Sequence, residues 1–170
     1  MSRTTGFILG FFLMFVGIIG CGCHVYKTIV FSQNCKGYLK QAADANTVEL
    51  ALERLDKAIA YAEKEDLTTG YTSILWRTED DNVEFWYNNL LACRQELLEG
   101  SDGTQLEKTN LLLKVRESLT DENADGTCVT IPNGIARYPS NLFWAIVITL
   151  SFLIFCAGFL LFIMACDNTL

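Results

Sequence analysis

The apolar residues of this chain gather toward its two ends, and the stretch between them carries the 3–4 spacing of amphipathic helices. Gly6 to Cys23 (GFILGFFLMFVGIIGCGC) is 18 residues without a charge, and Leu142 to Cys166 (LFWAIVITLSFLIFCAGFLLFIMAC) is 25. At 1.5 Å per residue, helices of those lengths reach about 27 and 38 Å, against a hydrocarbon core of roughly 30 Å. The second is long enough to cross a bilayer by itself. The first reaches that length if its helix continues through His24, Val25 and Tyr26, with the Lys27 ammonium extended toward water. The pattern therefore predicts transmembrane helices over 6–31 and 142–166, the first running on as a helix as far as residue 45. The competing arrangement is a pair of core helices in a soluble protein, which uninterrupted apolar runs of this length disfavour.

Between the spans, residues 32–125 read as a small antiparallel helical bundle outside the membrane, an all-α domain. Asn46-Thr47-Val48-Glu49 has the form of a capping box, with Asn46 as the cap. Val48, Leu52, Leu55, Ile59 and Ala62 follow as one apolar stripe, with Glu53, Arg54, Asp56, Lys57 and Glu63 off it. Thr78-Glu79-Asp80-Asp81 opens the next helix with acidic residues at its positive end. Its stripe is Val83, Trp86, Leu90, Cys93 and Leu97, and Gly100 stops it. A third helix is predicted from about Thr104 to Leu119, with Leu112, Val115 and Leu119 inward. Cys128 to Pro132 is the only strand-like stretch. Residues 126–141, with both prolines and Asn133-Gly134, read as an ordered loop leading into the second span. The tails, 1–5 and 167–170, are too short for a catalytic or signalling module.

Composition supports a membrane assignment: 51% of residues are hydrophobic, 19% are charged, and the mean hydropathy is +0.24. Every charged residue except Arg3 and Asp167 lies between Lys27 and Arg137, and the net charge is −7. That balance excludes a nucleic-acid partner, since no basic track exists to neutralise phosphates. Topology draws on opposed signals. Lys27, Lys36, Lys40 and Arg137 flank the spans on the domain side, which by itself would place the domain in the cytoplasm. That rule weakens for a loop longer than about 60 residues, and the acidic domain, its cysteines and the signal-like first span favour the outside. The expectation is a bacterial inner-membrane protein with an extracytoplasmic central domain and cytoplasmic termini. Ile18-Ile19-Gly20-Cys21 also resembles a bacterial lipobox, so a second anchoring scheme is acylation at Cys21 after cleavage.

Candidate chemistry is sparse. Asp121-Glu-Asn123-Ala-Asp125-Gly126 resembles the first half of an EF-hand calcium loop, with oxygens at alternate positions and a turn-forming glycine. The position of the closing glutamate falls on Pro132, so Asp121, Asn123 and Asp125 are a weak metal candidate beside the ordinary reading as an acidic turn. Cys21-Gly-Cys23-His24 is one residue short of a c-type haem motif, and His24 is the only histidine. No cofactor is expected. Cys35 and Cys128 stand close to the two spans and are a candidate disulfide, while Cys93 reads as core. Tyr71, Trp76, Phe85, Trp86 and Tyr87 cluster around the connection 67–87. Trp86 fits the core, whereas Tyr71 and Trp76 fall outside any stripe and are the candidate partner contacts.

Small residues mark one face of each span: Gly6, Gly10, Gly17 and Cys21 in the first, and Ser151, Gly158 and Ala165 in the second. Such stripes let helix backbones approach closely, either between these two spans or against another subunit. With no nucleophile–base pair, phosphate loop or zinc constellation, an enzyme is not expected. The favoured function is an accessory, assembly or scaffold subunit whose partners are other membrane proteins, or copies of itself, in the lipid bilayer. A two-span anchor with a helical domain between resembles in architecture the periplasmic sensing half of chemoreceptors. That resemblance implies a ligand-binding bundle signalling through a separate protein.

Overall fold

The computed structural model describes residues 3–123 and 126–167, and the chain is mostly helical. It divides into two compact units. One is formed by the terminal segments up to Thr28 and from Ser140, and the other is Ile29–Pro139.

The terminal unit contains most of α1 (Arg3–Phe31) and α6 (Asn141–Asp167). With the turns that follow it, α1 belongs to a helix of 40 residues, Thr4–Ala43, and the apolar part of α6, Asn141–Cys166, has 26. Both are long and apolar enough to cross a membrane. Only 17% and 6% of their most apolar stretches are buried within the protein, so neither is mostly covered by the rest of the chain.

The central unit begins where α1 passes into a π-helical turn, Ser32–Lys36, and then α2 (Gly37–Ala43). Phe31, Cys35, Leu39, Ala42 and Ala43 are buried along this segment. α3 (Val48–Lys64) starts one residue later than the capping pattern suggests. Thr47 is the extended capping residue, and its Oγ1 accepts the Leu50 N–H at 3.2 Å. Val48 must face the core, where it is buried, so the cap falls on the residue before it. Along α3 the buried positions are Val48, Ala51, Leu55, Ala58, Ile59 and Ala62, with Leu52 half-buried at the edge. The helix closes with Asp66 at φ 56°, Leu67 N–H donating to Ala62 O (2.8 Å), and Asp66 N–H donating to Glu63 O (3.3 Å). This is a Schellman ending, with buried Leu67 as its hydrophobic lock.

The acidic run does not begin the next helix. Glu79–Asp81 is a 3₁₀ turn, and α4 (Val83–Glu99) is capped by Asn82, whose Oδ1 accepts from Phe85 N–H at 3.0 Å. Asn caps better than an acidic residue one turn earlier because Val83 can then enter the core. The five residues of the α4 stripe are its buried residues. α5 (Gln105–Leu119) has a reciprocal capping box. Glu107 N–H donates to Thr104 Oγ1 at 3.4 Å, and Glu107 Oε2 accepts from Thr104 N–H at 2.7 Å. Val115 and Leu119 are buried and Leu112 is half-buried against the core.

A hairpin follows, where helix and loop were expected to meet. β1 (Thr120–Asn123) pairs antiparallel with β2 (Gly126–Val129), with Thr120 opposite Val129 and Asn123 opposite Gly126. The expected boundary at residue 125 therefore cuts a paired element. Strands of four residues, those of β1 all polar, are too short for a period-2 signal, and only Asp125-Gly126 hints at the turn. Thr130 N–H donates to Leu119 O at 2.9 Å, continuing the ladder. After β2 the chain makes a 3₁₀ turn at Ile135–Arg137, entered through Gly134 at φ 77°. So 126–139 belongs to the central unit and carries buried Val129 and Ile135, rather than forming a separate leader to α6.

Within this unit α2 packs on α3, α3 on α4, and α5 against α4, α2 and α3. The buried stripes share one apolar core, to which Val129 and Ile135 add. At its margin Trp86 Nε1 donates to Thr130 O at 3.2 Å, and Asn89 Nδ2 to Ser118 O at 3.2 Å. Truncating a fully buried leucine, Leu55→Ala or Leu90→Ala, is expected to cost about 2–5 kcal/mol in chemical denaturation of the detergent-solubilised chain. Lys57→Ala, on the exposed side of α3, should cost under about 0.5 kcal/mol. Equal effects would mean that the helical phase is wrong.

Candidate interaction surfaces

In the terminal unit the small residues of α1 and α6 face each other. Phe7 meets Phe162 edge-on, with ring centroids 5.3 Å apart. A Cβ built on Gly10 would lie 2.9 Å from Gly158 O, and one on Gly158 2.7 Å from Gly10 O. At Gly17 it would lie 2.8 Å from both Ser151 O and Phe155 Cβ. No side chain fits at these points, so the backbones are in direct contact. Contacts that step up α1 while stepping down α6 make the pair antiparallel.

Gly6, Gly10 and Gly17 are buried, as are Ser151, Gly158 and Ala165. Cys21 is not: it is exposed, and Gly20 takes the next place, against the Ser151 side chain. The seam runs through 6, 10, 13, 17 and 20 on α1 and through 151, 155, 158, 162 and 165 on α6. Both series alternate steps of 4 and 3. A period of 3.5 keeps a seam facing its partner along a gently supercoiled pair, so the position after Gly17 is 20, not 21. The small-residue face is thus filled from within the chain.

The second surface is the connection between α3 and α4. Its base is closed by a bridge between Tyr71 and Asn82, by Thr72 N–H donating to Asp81 O (3.0 Å), and by Val83 N–H donating to Gly70 O (2.9 Å). Side chains tighten it: Thr78 Oγ1 donates to Asp81 Oδ2 at 2.6 Å and Thr72 Oγ1 to Asp81 Oδ1 at 3.4 Å. Beyond this clasp the chain presents apolar residues to solvent. Leu75 is 77% exposed, Trp76 80%, Ile74 46%, and Phe85 in the first turn of α4 71%. Tyr71 is half-buried in the base, with the Arg77 guanidinium 5.2 Å from its ring centroid. The two residues singled out in this connection therefore differ: Tyr71 belongs to the clasp and Trp76 to the tip. Tyr87 turns away and donates to Glu63 Oε1 at 2.8 Å.

The remaining candidates separate. Asp121 and Asn123 are in β1, and Asp125 lies outside the described residues. Asp121 Oδ2 accepts the Thr130 hydroxyl at 2.7 Å, bracing the hairpin. Among the described residues no group of three or more His, Cys, Asp or Glu side chains is arranged to hold a metal. Cys35 and Cys128 are not joined by a disulfide: Cys35 is fully buried, its Sγ 4.0 Å from Ala58 O, and Cys128 is half-buried on β2. Burial pushes the Cys93 thiol above its ordinary range, in keeping with its place in the core. Cys23 is exposed on α1 beside His24.

Spacing along single helices could not reveal the ion pairs that tie them together. Arg94 reaches Asp56 at 2.6 Å, Lys114 reaches Glu96 at 2.6 Å, and Arg116 reaches Asp44 at 2.9 Å. The Asp44–Arg116 pair, joined by Lys40 at 3.6 Å, stands beside an open groove of 340 Å³ lined partly by Asn46, Thr109, Leu112 and Leu113. Exposed pairs of this kind contribute little stability each but restrict register.

Comparison of the chain with protein-family models, with curated proteins and with solved structures gives no match.

Two outcomes follow from these geometries. In a cysteine-free chain carrying Phe7→Cys and Phe162→Cys, oxidative cross-linking within one chain should be efficient, and Gly10→Leu should reduce it severalfold by forcing the backbones apart. Undiminished cross-linking would contradict the seam. The hydrogen bond from Arg116 holds the Asp44 carboxyl below its usual range. Its stabilising contribution is therefore present above the ordinary carboxylate pKa and lost as pH falls through the lowered value. Arg116→Gln should move the Asp44 midpoint upward in a carboxyl NMR titration, and an unmoved midpoint would refute the pairing.

Proposed function

We propose that this is a non-enzymatic integral membrane protein in which α1 and α6 both cross the bilayer, and that it serves as an accessory, assembly or scaffold subunit presenting its central unit to partner proteins. In this reading it sits in a bacterial inner membrane with the central unit outside the cytoplasm. The observation that carries the proposal is the pairing of two largely exposed apolar helices with an exposed apolar loop on a clasped base. Open apolar helix faces need lipid around them, and an exposed cluster of large apolar residues is the usual mark of a contact site. The only histidine, His24, stands in α1, remote in sequence from the carboxylates of the central unit.

A cysteine-free chain tagged at either terminus should place both tags on one side of the membrane, and the gently solubilised native protein should migrate in a complex larger than itself. Tags on opposite sides would defeat the two-span arrangement. Acyl chains on an N-terminal Cys21, detected by mass spectrometry, would establish a lipoprotein anchor instead. Migration as a lone species whose melting point rises with a small molecule would favour a ligand-binding sensor over a subunit.

A further inference from the structure

We infer that the Tyr71–Phe85 loop docks into an apolar pocket on a different protein, and that basic side chains rim this pocket. The inference rests on the accessory-subunit reading and specifies the chemistry of its contact. Ile74, Leu75 and Trp76 form the tip, and Phe85 is exposed at the start of α4. Trp is the residue type that most often dominates an interface, and burying it in a partner pocket removes the cost of leaving it in water. The loop is built to hold this shape before binding. The Tyr71–Asn82 bridge, the Asp81 hydrogen bonds to Thr72 and Thr78, and the Arg77–Tyr71 stack fix the stem, so docking forfeits less ordering entropy than a flexible loop would.

Charge selects among the possible occupants. Within the loop and the first turn of α4 the exposed ionised residues are Glu79, Asp80 and Glu84, against one cation, Arg77. A second copy related by a two-fold axis would set this acidic rim against itself, because a symmetric interface uses the same patch on both sides. An anionic lipid surface would repel it for the same reason. A protein pocket with an apolar floor and Lys or Arg at its edge satisfies both parts of the loop, and complementary charge would also steer the encounter.

The test uses the full chain in its native membranes with a photoreactive phenylalanine analogue at Leu75, and the same probe at outward-facing Phe152 on α6 as a comparison. The expected result at Leu75 is an adduct to one other protein, whose cross-linked segment is apolar and flanked by Lys or Arg. Trp76→Ala should cut its yield roughly tenfold. The pair Glu79→Lys and Asp80→Lys should cut it severalfold, as should raising salt to about 0.5 M, which shortens screening to a few ångström. Each variant should keep the parental melting temperature, since all three side chains are exposed. An adduct to lipid or to a second copy at Leu75 would overturn the inference, as would a yield indifferent to the charge reversal. An adduct to a partner from Phe152 alone would overturn the loop assignment while leaving the subunit reading intact. Adducts to protein from neither position would overturn both.

Discussion

The terminal unit depends on one contact, the direct meeting of backbones at Gly10 and Gly158. In the proposed membrane setting, apolar helices would gain nothing from hiding side chains from water. Their association would come from close packing, and residues without a Cβ let two helix axes come this near. The 4–3 alternation extends the contact in both directions, with Gly6, Gly17 and Gly20 on one helix and Ser151 and Ala165 on the other. Larger side chains, Phe7, Leu13, Phe155 and Phe162, fill the spaces between them. Filling this seam from within leaves the bulky outward residues, such as Phe11, Phe15, Phe152 and Leu160, as the faces turned away from the chain. A partner would therefore meet mainly phenylalanine and leucine on these helices, with Gly22 exposed toward the end of α1.

The central unit obeys different physics. Its four helical segments each bury one stripe, and the core they make is the ordinary product of removing apolar surface from water. What distinguishes it is the placement of its boundaries. Thr47, Asn82 and Thr104 each cap a helix, and Asp66 and Gly100 end two of them. The exposed connection is confined between a Schellman ending and an Asn cap, so a loop rich in large apolar residues is held open without collapsing into the core. Exposed apolar residues of this size are costly for a free surface, and under the proposed reading they are a surface kept for contact.

The helical stripes were legible because burial imposes a 3.6-residue period on sequence, and Val83, Trp86, Leu90, Cys93 and Leu97 display it without interruption. The caps were half legible. Asn46 and Thr78 are good capping residues, yet tertiary packing decides which of several candidates is used, and the inward demand of Val48 and Val83 selects their immediate neighbours. The hairpin was hidden, since four-residue strands carrying Thr, Asp and Glu have no alternation to read. The seam was legible as small residues, but the place of Gly20 rather than Cys21 follows from the 4–3 alternation against the partner helix, where Ser151 faces Gly20. The base of the clasp below Trp76 rests on hydrogen bonds across nine or more residues, Thr72 to Asp81 and Val83 to Gly70, which no local pattern encodes.

Collision accessibility of spin labels in lipid nanodiscs tests the account at its centre. Labels would be placed one at a time on a cysteine-free chain at outward positions Phe11, Phe15, Phe152 and Leu160, and at the seam-lining positions Leu13 and Phe155. The account predicts that the outward labels collide readily with oxygen and scarcely with a water-soluble nickel chelate, while the seam labels are shielded from both. Nickel access at the outward positions, or accessibility without a 4–3 alternation along α1 and α6, would contradict it.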